Sequence, residues 1–284
     1  MNEVKAKDWD KVITARHRLF DLRLAEVLEY RDLILLFIKR DLVVQYKQTV
    51  LGPLWFILQP LFSTVMYTFV FGKLANLGTD GVPYLLFYYG GTMLWTYFST
   101  TLTGVSNTFL ENSAVFSKVY FPRLTVPVSK TCGLVVKLLI QFAILMLFYA
   151  YYMLKGAALH PSPWVCAFPL LIVWIGTLGC SFGMIISSLT TKYRDLNQLL
   201  SFGMSLLMYA TPVVYPLSGT PQKFRWLFCA NPMTAPVELF RMWFYGAGEV
   251  SPEMVLLSLA VTVVALFSGL VLFTRNERTF VDVI

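Results

Sequence analysis

Six long apolar stretches divide the chain: residues 50–71, 82–110, 124–154, 164–190, 196–215 and 255–273. Each is at or above the roughly 20 residues that carry a helix across a bilayer, and several leave room for tilt or for a turn beyond the lipid. Short polar turns separate some of them: Gly78 to Gly81, then Phe121, Pro122 and Arg123, then His160, Pro161, Ser162 and Pro163. Two regions break the rhythm. Residues 22–47 mix Leu24, Val27, Leu28, Leu35, Ile38 and Leu42 at helical spacing with charges between them. That pattern predicts an amphipathic helix lying in a membrane interface; a short soluble helix is the alternative, and the unbroken apolar run 33–38 counts against it. Residues 216–252 hold two apolar pieces, 224–230 and 234–244, broken by Asn231 and Pro232. Each is too short to span, so a re-entrant or cap-like helical hairpin is predicted. Within the fourth stretch Gly179, Gly183 and Ser187 recur every four residues near Gly176, a row that lets helices approach closely. The fold class is therefore all-α and integral to the membrane. It has six transmembrane helices, an N-terminal interface helix and a helical hairpin between spans five and six.

Composition agrees. Of 284 residues, 57% are hydrophobic and 14% charged, against about 25% charged in a soluble domain. The net charge of +7 would suit nucleic acid, but in a chain this apolar the cations set orientation instead. Ten lysines and arginines precede residue 50. With both termini cytoplasmic, Lys118, Arg123, Lys130, Lys192, Arg194, Arg275 and Arg278 join them inside. Only Lys73, Lys155, Lys223, Arg225 and Arg241 stay outside, and Lys137 lies within the third span. The organisation that follows is a cytoplasmic tail with the interface helix (1–48), a transmembrane domain (49–274, with an outer hairpin at 216–252) and a cytoplasmic tail (275–284). Cys132, Cys166, Cys180 and Cys229 have no metal-like spacing and read as ordinary thiols. No cleavable signal peptide is expected, because a long charged tail precedes the first apolar stretch.

Several chemistries are missing. There is no G-x-x-x-x-G-K-[ST] loop with which to hold a nucleotide. His17 and His160 are far apart and form neither a metal site nor an acid–base pair. Glu111, Asp195 and Glu253 sit at the ends of spans rather than inside them, whereas ion-coupled carriers bury carboxylates at mid-membrane. A membrane-embedded enzyme would need convergent polar groups. A conduit or anchor driven by another component remains.

The segment from Arg40, Asp41 and Leu42 through Gln45 to Trp55, ending at Gln59 and Pro60, resembles the entry to the first span of type-2 ABC exporter permeases, and more narrowly those that export O-antigen and related polysaccharides. Three further blocks are similar and occur in order: Lys118 to Arg123; Tyr193 to Leu196 leading to Ala210 to Pro216; and Asn231, Pro232 and Met233 with Glu238 to Arg241. The resemblance implies a homodimer in the bacterial inner membrane that binds two copies of a separate ATPase, which uses ATP and magnesium. The chain itself would need no cofactor and no metal. The cargo implied is a polysaccharide linked through pyrophosphate to undecaprenol, moved from cytoplasm to periplasm. Teichoic acid, capsule or a small amphipathic drug are the alternatives in the same class, and an envelope-synthesis enzyme the alternative in another.

In that family cytoplasmic turns contact the ATPase, which points here to Ser117, Lys118, Tyr120, Phe121, Pro122 and Arg123, and to Lys192, Tyr193, Arg194 and Asp195; the simpler reading is that their cations only enforce topology. Arg123, Lys130 and Lys137 recur every seven residues and share one helical face, with Lys137 about 20 Å along the helix from Arg123. They are candidates to guide a pyrophosphate, while Lys137 could instead pair within the bundle. Tyr84, Tyr88, Trp95 and Phe98 share a face of the second span and could carry sugar rings, or belong to an interfacial aromatic belt. Tyr215, Trp226, Trp243 and Phe244 surround the hairpin and would either gate the exit at the periplasmic side or anchor it in headgroups.

Overall fold

A computed structural model describes residues 27, 29–47, 49–116, 118–119, 121–190 and 195–280. The described residues are helical and contain no strand. Among the described residues four helices are long and apolar enough to cross a membrane: Gly52–Leu74, Thr125–Leu154, Pro163–Thr190 and Pro252–Arg275.

Helix α1 (Arg31–Tyr46) lies against α5 (Thr125–Leu154). It buries Phe37, whose ring sits 5.7 Å from that of Phe121, and leaves Leu35, Leu36, Val43 and Val44 exposed. The first long apolar helix is composite: a 3-10 turn (Gly52–Leu54), α2 (Trp55–Tyr67) and a wide π-helical stretch (Thr68–Leu74). Pro60 lies inside α2 and has no N–H to give the Phe56 carbonyl one turn earlier. Gln141 Nε2 of α5 donates to that oxygen at 3.4 Å.

Helix α3 (Tyr84–Ser106) is the centre of the molecule. It is long enough to span but rich in tyrosine, threonine and glycine, so its apolarity falls below that of the four helices above. It can be this polar because protein rather than lipid surrounds it, with most of its residues buried. Several of its hydroxyls bond carbonyls of their own helix, Thr92 to Tyr88 at 2.7 Å and Thr103 to Ser99 at 2.8 Å. Those of Tyr88, Tyr89 and Thr101 are buried without a hydrogen-bond partner among the described residues. Helix α4 (Thr108–Phe116) follows at one end of the bundle. Helix α6 (Phe168–Thr190), entered through a 3-10 turn (Pro163–Ala167), packs along both α3 and α10 (Pro252–Phe280). The small-residue row decides the first contact: a Cβ on Gly183 would stand 2.8 Å from the Leu102 carbonyl. Trp174 Nε1 bonding Thr262 Oγ1 at 3.1 Å ties the second.

Helix α7 (Leu196–Tyr209) has 14 residues and ends before the predicted limit at 215. The chain turns at 210–216 because Pro212 and Pro216 interrupt it and Asn231 Nδ2 takes the Ala210 carbonyl (3.1 Å) and Thr211 Oγ1 (2.8 Å). Two short helices follow, α8 (Gln222–Ala230) and α9 (Thr234–Tyr245). They separate at Asn231 and Pro232, where the apolar pattern breaks. Helix α8 is largely exposed, and α9 is sunk in the core.

Candidate functional site

Two linked cavities run beside α3. The middle one, about 330 Å3, lies among α2, α3 and α5 and meets Met208 of α7, a size within the range of small-ligand sites. Aromatic rings (Trp55, Tyr67, Trp95) and amides (Gln59, Gln141) line it, with a row of hydroxyls from Thr92, Thr96, Ser99 and Thr100. The end cavity, about 480 Å3, lies among α1, α3, α4 and α5 and is bordered by Asp41, Gln45, Asn107, Glu111 and Lys130. Thr100, Leu134 and Lys137 line both.

Lys137 therefore stands at the neck between them, its Nζ 4.4 Å from the Phe56 ring centre, a distance at which the ring quadrupole attracts a cation. No carboxylate lines the middle cavity. Lys130, one stretch along α5, is differently placed. Its Nζ donates to the Gly104 carbonyl at 2.9 Å and pairs with the carboxylate of Glu111. Arg123 lines neither cavity; its guanidinium lies 5.4 Å over the Phe116 ring. Of the predicted cation row, Lys130 and Lys137 thus share one groove and Arg123 stands apart. Of the predicted aromatic stripe, Trp95 lines the middle cavity, and Tyr84, Tyr88 and Phe98 line neither of the two. Tyr88 and Phe98 are buried among helices, Tyr84 stacks on Tyr88 at 6.3 Å, and Trp95 touches Phe98 at 5.5 Å. Helical periodicity placed these rings without saying which neighbours cover them. The threonine and serine row, spaced four and three residues apart on α3, was a legible signal that reasoning from charges and aromatics passed over. Among the described residues no group of His, Cys, Asp and Glu could hold a metal ion.

A second polar cluster lies where α9 meets α3. Arg241 and Glu238, both almost wholly buried, pair at 2.7 Å. Arg241 also donates to the Val213 carbonyl at 3.0 Å, and its guanidinium carbon stands 3.8 Å from the Phe87 ring centre. The other Glu238 oxygen accepts the Glu249 N–H at 3.0 Å. Burial pushes the Glu238 carboxyl above the usual carboxylate range, against the pull of Arg241, and draws the Arg241 guanidinium below its own ordinary value. Gly91 makes the approach possible, since a Cβ there would meet the Val213 carbonyl at 2.7 Å. Arg241, counted from the sequence among the outside cations, is a core residue of α9. Its ion-pair partner at i−3 was the available signal.

Residues 32–245 match the family model described as ABC-2 type transporter. The chain belongs to the ABC-2 type transporter family. Its curated relatives include two proteins of Klebsiella pneumoniae, each named O-antigen export system permease protein RfbA. They are 28% and 27% identical over 256 residues, which is 89% of this chain and 95% of each relative. The protein of the same name from Myxococcus xanthus is 26% identical over 263 residues, 90% of this chain and 97% of the relative. As an ABC-2 type chain it is the membrane subunit of a transporter, not an enzyme, and the ATP is used by a separate ATPase.

The residues that the resemblance assigned to ATPase contact fall partly within the structure. Ser117, Tyr120, Lys192, Tyr193 and Arg194 lie outside the described residues. Lys118 is exposed, whereas Phe121 is buried between Phe37 and Phe116, so its ring packs the turn onto α1. Pro122 and Arg123 are half-buried, and Asp195 is exposed just before α7. The aromatic residues predicted to surround the exit also divide. Trp243 and Phe244 belong to the main core, with Phe244 against Phe240 at 4.6 Å. Tyr215 bonds the Tyr209 carbonyl at 2.7 Å and packs on Phe228, while Trp226 is 69% exposed.

Proposed function

We propose that this chain is the permease of an ATP-driven exporter that moves undecaprenyl-pyrophosphate-linked polysaccharide of the O-antigen type from cytoplasm to periplasm. The observation that carries the reading is likeness along nine-tenths of the chain to three O-antigen export permeases. The groove beside α3 supports it. Lys130 and Lys137 offer cationic stations for a pyrophosphate, and Trp55, Trp95 and Tyr67 with two glutamines offer the flat apolar faces and hydrogen-bonding edges that suit sugar rings. Teichoic acid, capsule and small amphipathic drugs are the other cargoes of this class, and nothing in the groove favours them over an O-antigen.

In this reading the chain crosses the inner membrane six times, with α3, and α7 continued by the turning stretch 210–216, completing the set begun by the four most apolar helices, and both termini are cytoplasmic. Residues 1–48 form a cytoplasmic tail with α1 in the interface, 49–274 the transmembrane domain and 275–284 the second tail. Helices α8 and α9 form a periplasmic gate in which Trp226 meets headgroups and Tyr215 lines the exit. The turn 117–123 and residues 192–195 receive the ATPase. Two copies pair through α2 with its π-helical extension and through α7, which expose apolar stripes (Phe62, Val65, Phe69; Leu199, Phe202, Leu206), and two ATPase subunits bind below.

Deletion of the gene, followed by gel analysis of surface polysaccharide, tests this. The expected result is loss of the long-chain ladder with lipid-linked polymer accumulating inside; an intact ladder would refute the O-antigen assignment.

A further inference from the structure

The end cavity contains one ion pair that the proposed transport path does not explain. Lys130 and Glu111 face each other across its wall, and the two halves of the pair are unequally held. The Lys130 side chain is only 11% exposed, and its ammonium is also fixed by the Gly104 carbonyl at 2.9 Å. The Glu111 side chain is 55% exposed and sits on α4, the short helix that runs directly into the turn 117–123. Asp41, the other carboxylate lining this cavity, is engaged by Arg40 at 2.8 Å. One carboxylate is thus both cation-bound and free to swing away.

We infer that Glu111 is a displaceable counter-ion: it holds Lys130 until the anionic headgroup of the cargo, a polyprenyl diphosphate, takes its place. The inference rests on the proposed cargo and adds a residue and a step to it. An ion pair with one exposed partner is weak, because water screens it and an ordered side chain loses entropy. A diphosphate brings more charge and several acceptor oxygens to the same ammonium, with Lys137 one step further along the groove. Glu111 is then released, and with it the contact that ties α4 to α5. The arrival of cargo is so reported to the segment next to the proposed ATPase-contact turn. A permanent bare lysine here would attract any anionic phospholipid; an internal carboxylate makes the site selective for ligands able to outcompete it.

The test is binding of undecaprenyl diphosphate to the chain, purified with its ATPase and placed in nanodiscs. Glu111→Gln keeps shape and a hydrogen-bond acceptor but removes the charge. It should lower the half-saturating concentration about two- to fivefold, the range expected when a weak ion pair no longer competes. In a Lys130→Met background the same substitution should change nothing. Inorganic pyrophosphate should show the same order of variants at weaker affinity if the headgroup alone is read. Unchanged or weaker binding by Glu111→Gln, or an equal shift without Lys130, would overturn the latch alone. If undecaprenol without its diphosphate bound the unsubstituted chain equally well, the proposed cargo would fall and the latch with it.

Discussion

Single residues separate by what surrounds them rather than by what they are. Lys137 and Arg241 are both cations in apolar stretches, yet Arg241 is enclosed in an ion pair with Glu238 while Lys137 stands at the wall of two cavities, its ammonium over the Phe56 ring. Removing them should have different consequences. Arg241→Ala leaves a buried carboxylate without its partner, an error that costs about 3–5 kcal/mol. It should abolish the monodisperse peak in detergent size-exclusion chromatography. Lys137→Met removes a charge from a cavity wall and should keep that peak while cutting export, read as loss of the polysaccharide ladder. Normal export by the Lys137→Met chain would remove its guiding role. Trp95→Ala belongs with Lys137: it opens a cavity wall and should shorten or slow the exported polymer without unfolding. Phe98→Ala, in contrast, excavates the core and should lower thermal stability by about 3–5 kcal/mol.

At the scale of elements, the turn 117–123 and the α3–α6 contact carry the clearest expectations. Phe121 packs between Phe37 and Phe116, so replacing it would disturb α1 as well as any docking. Charge reversal at exposed Lys118 together with Arg123 is the sharper probe. Lys118→Glu with Arg123→Glu should leave the chain folded in the membrane and abolish co-purification of the ATPase; retained co-purification would mean that these cations only set topology. Gly183→Leu drives a side chain into the Leu102 carbonyl and Val105 of α3. The two helices must part, and a lower melting temperature in detergent is the expected outcome.

The whole molecule leaves apolar stripes of α2 and α7 uncovered. Lipid or a second copy can cover them, and the proposed dimer makes a specific claim. A single cysteine at Phe202, in a chain freed of its four native cysteines, should cross-link to a second copy in membranes, whereas one at Leu170, exposed on α6 outside the proposed stripes, should not.

The sequence by itself determined that the chain is helical and membrane-borne, where most helices start and stop, and that α8 and α9 part at Asn231 and Pro232. Those properties follow from local quantities: apolar length, proline and glycine positions, and charge along the chain. It also placed Lys130 and Lys137 on one face, because helical period is local too. Tertiary structure alone decided which side chains that face meets. Gln141 reaches the Phe56 carbonyl across 85 residues of chain, Arg241 reaches Val213, and Lys130 reaches Glu111. Periodicity aligns residues on one helix but carries no information about the helix opposite. For that reason Tyr88, Phe98 and Trp95, on the same predicted stripe, are all buried, yet of the three only Trp95 borders the middle cavity. The paired and the solitary lysine of α5 likewise became distinguishable only when α3 and α4 were folded against them.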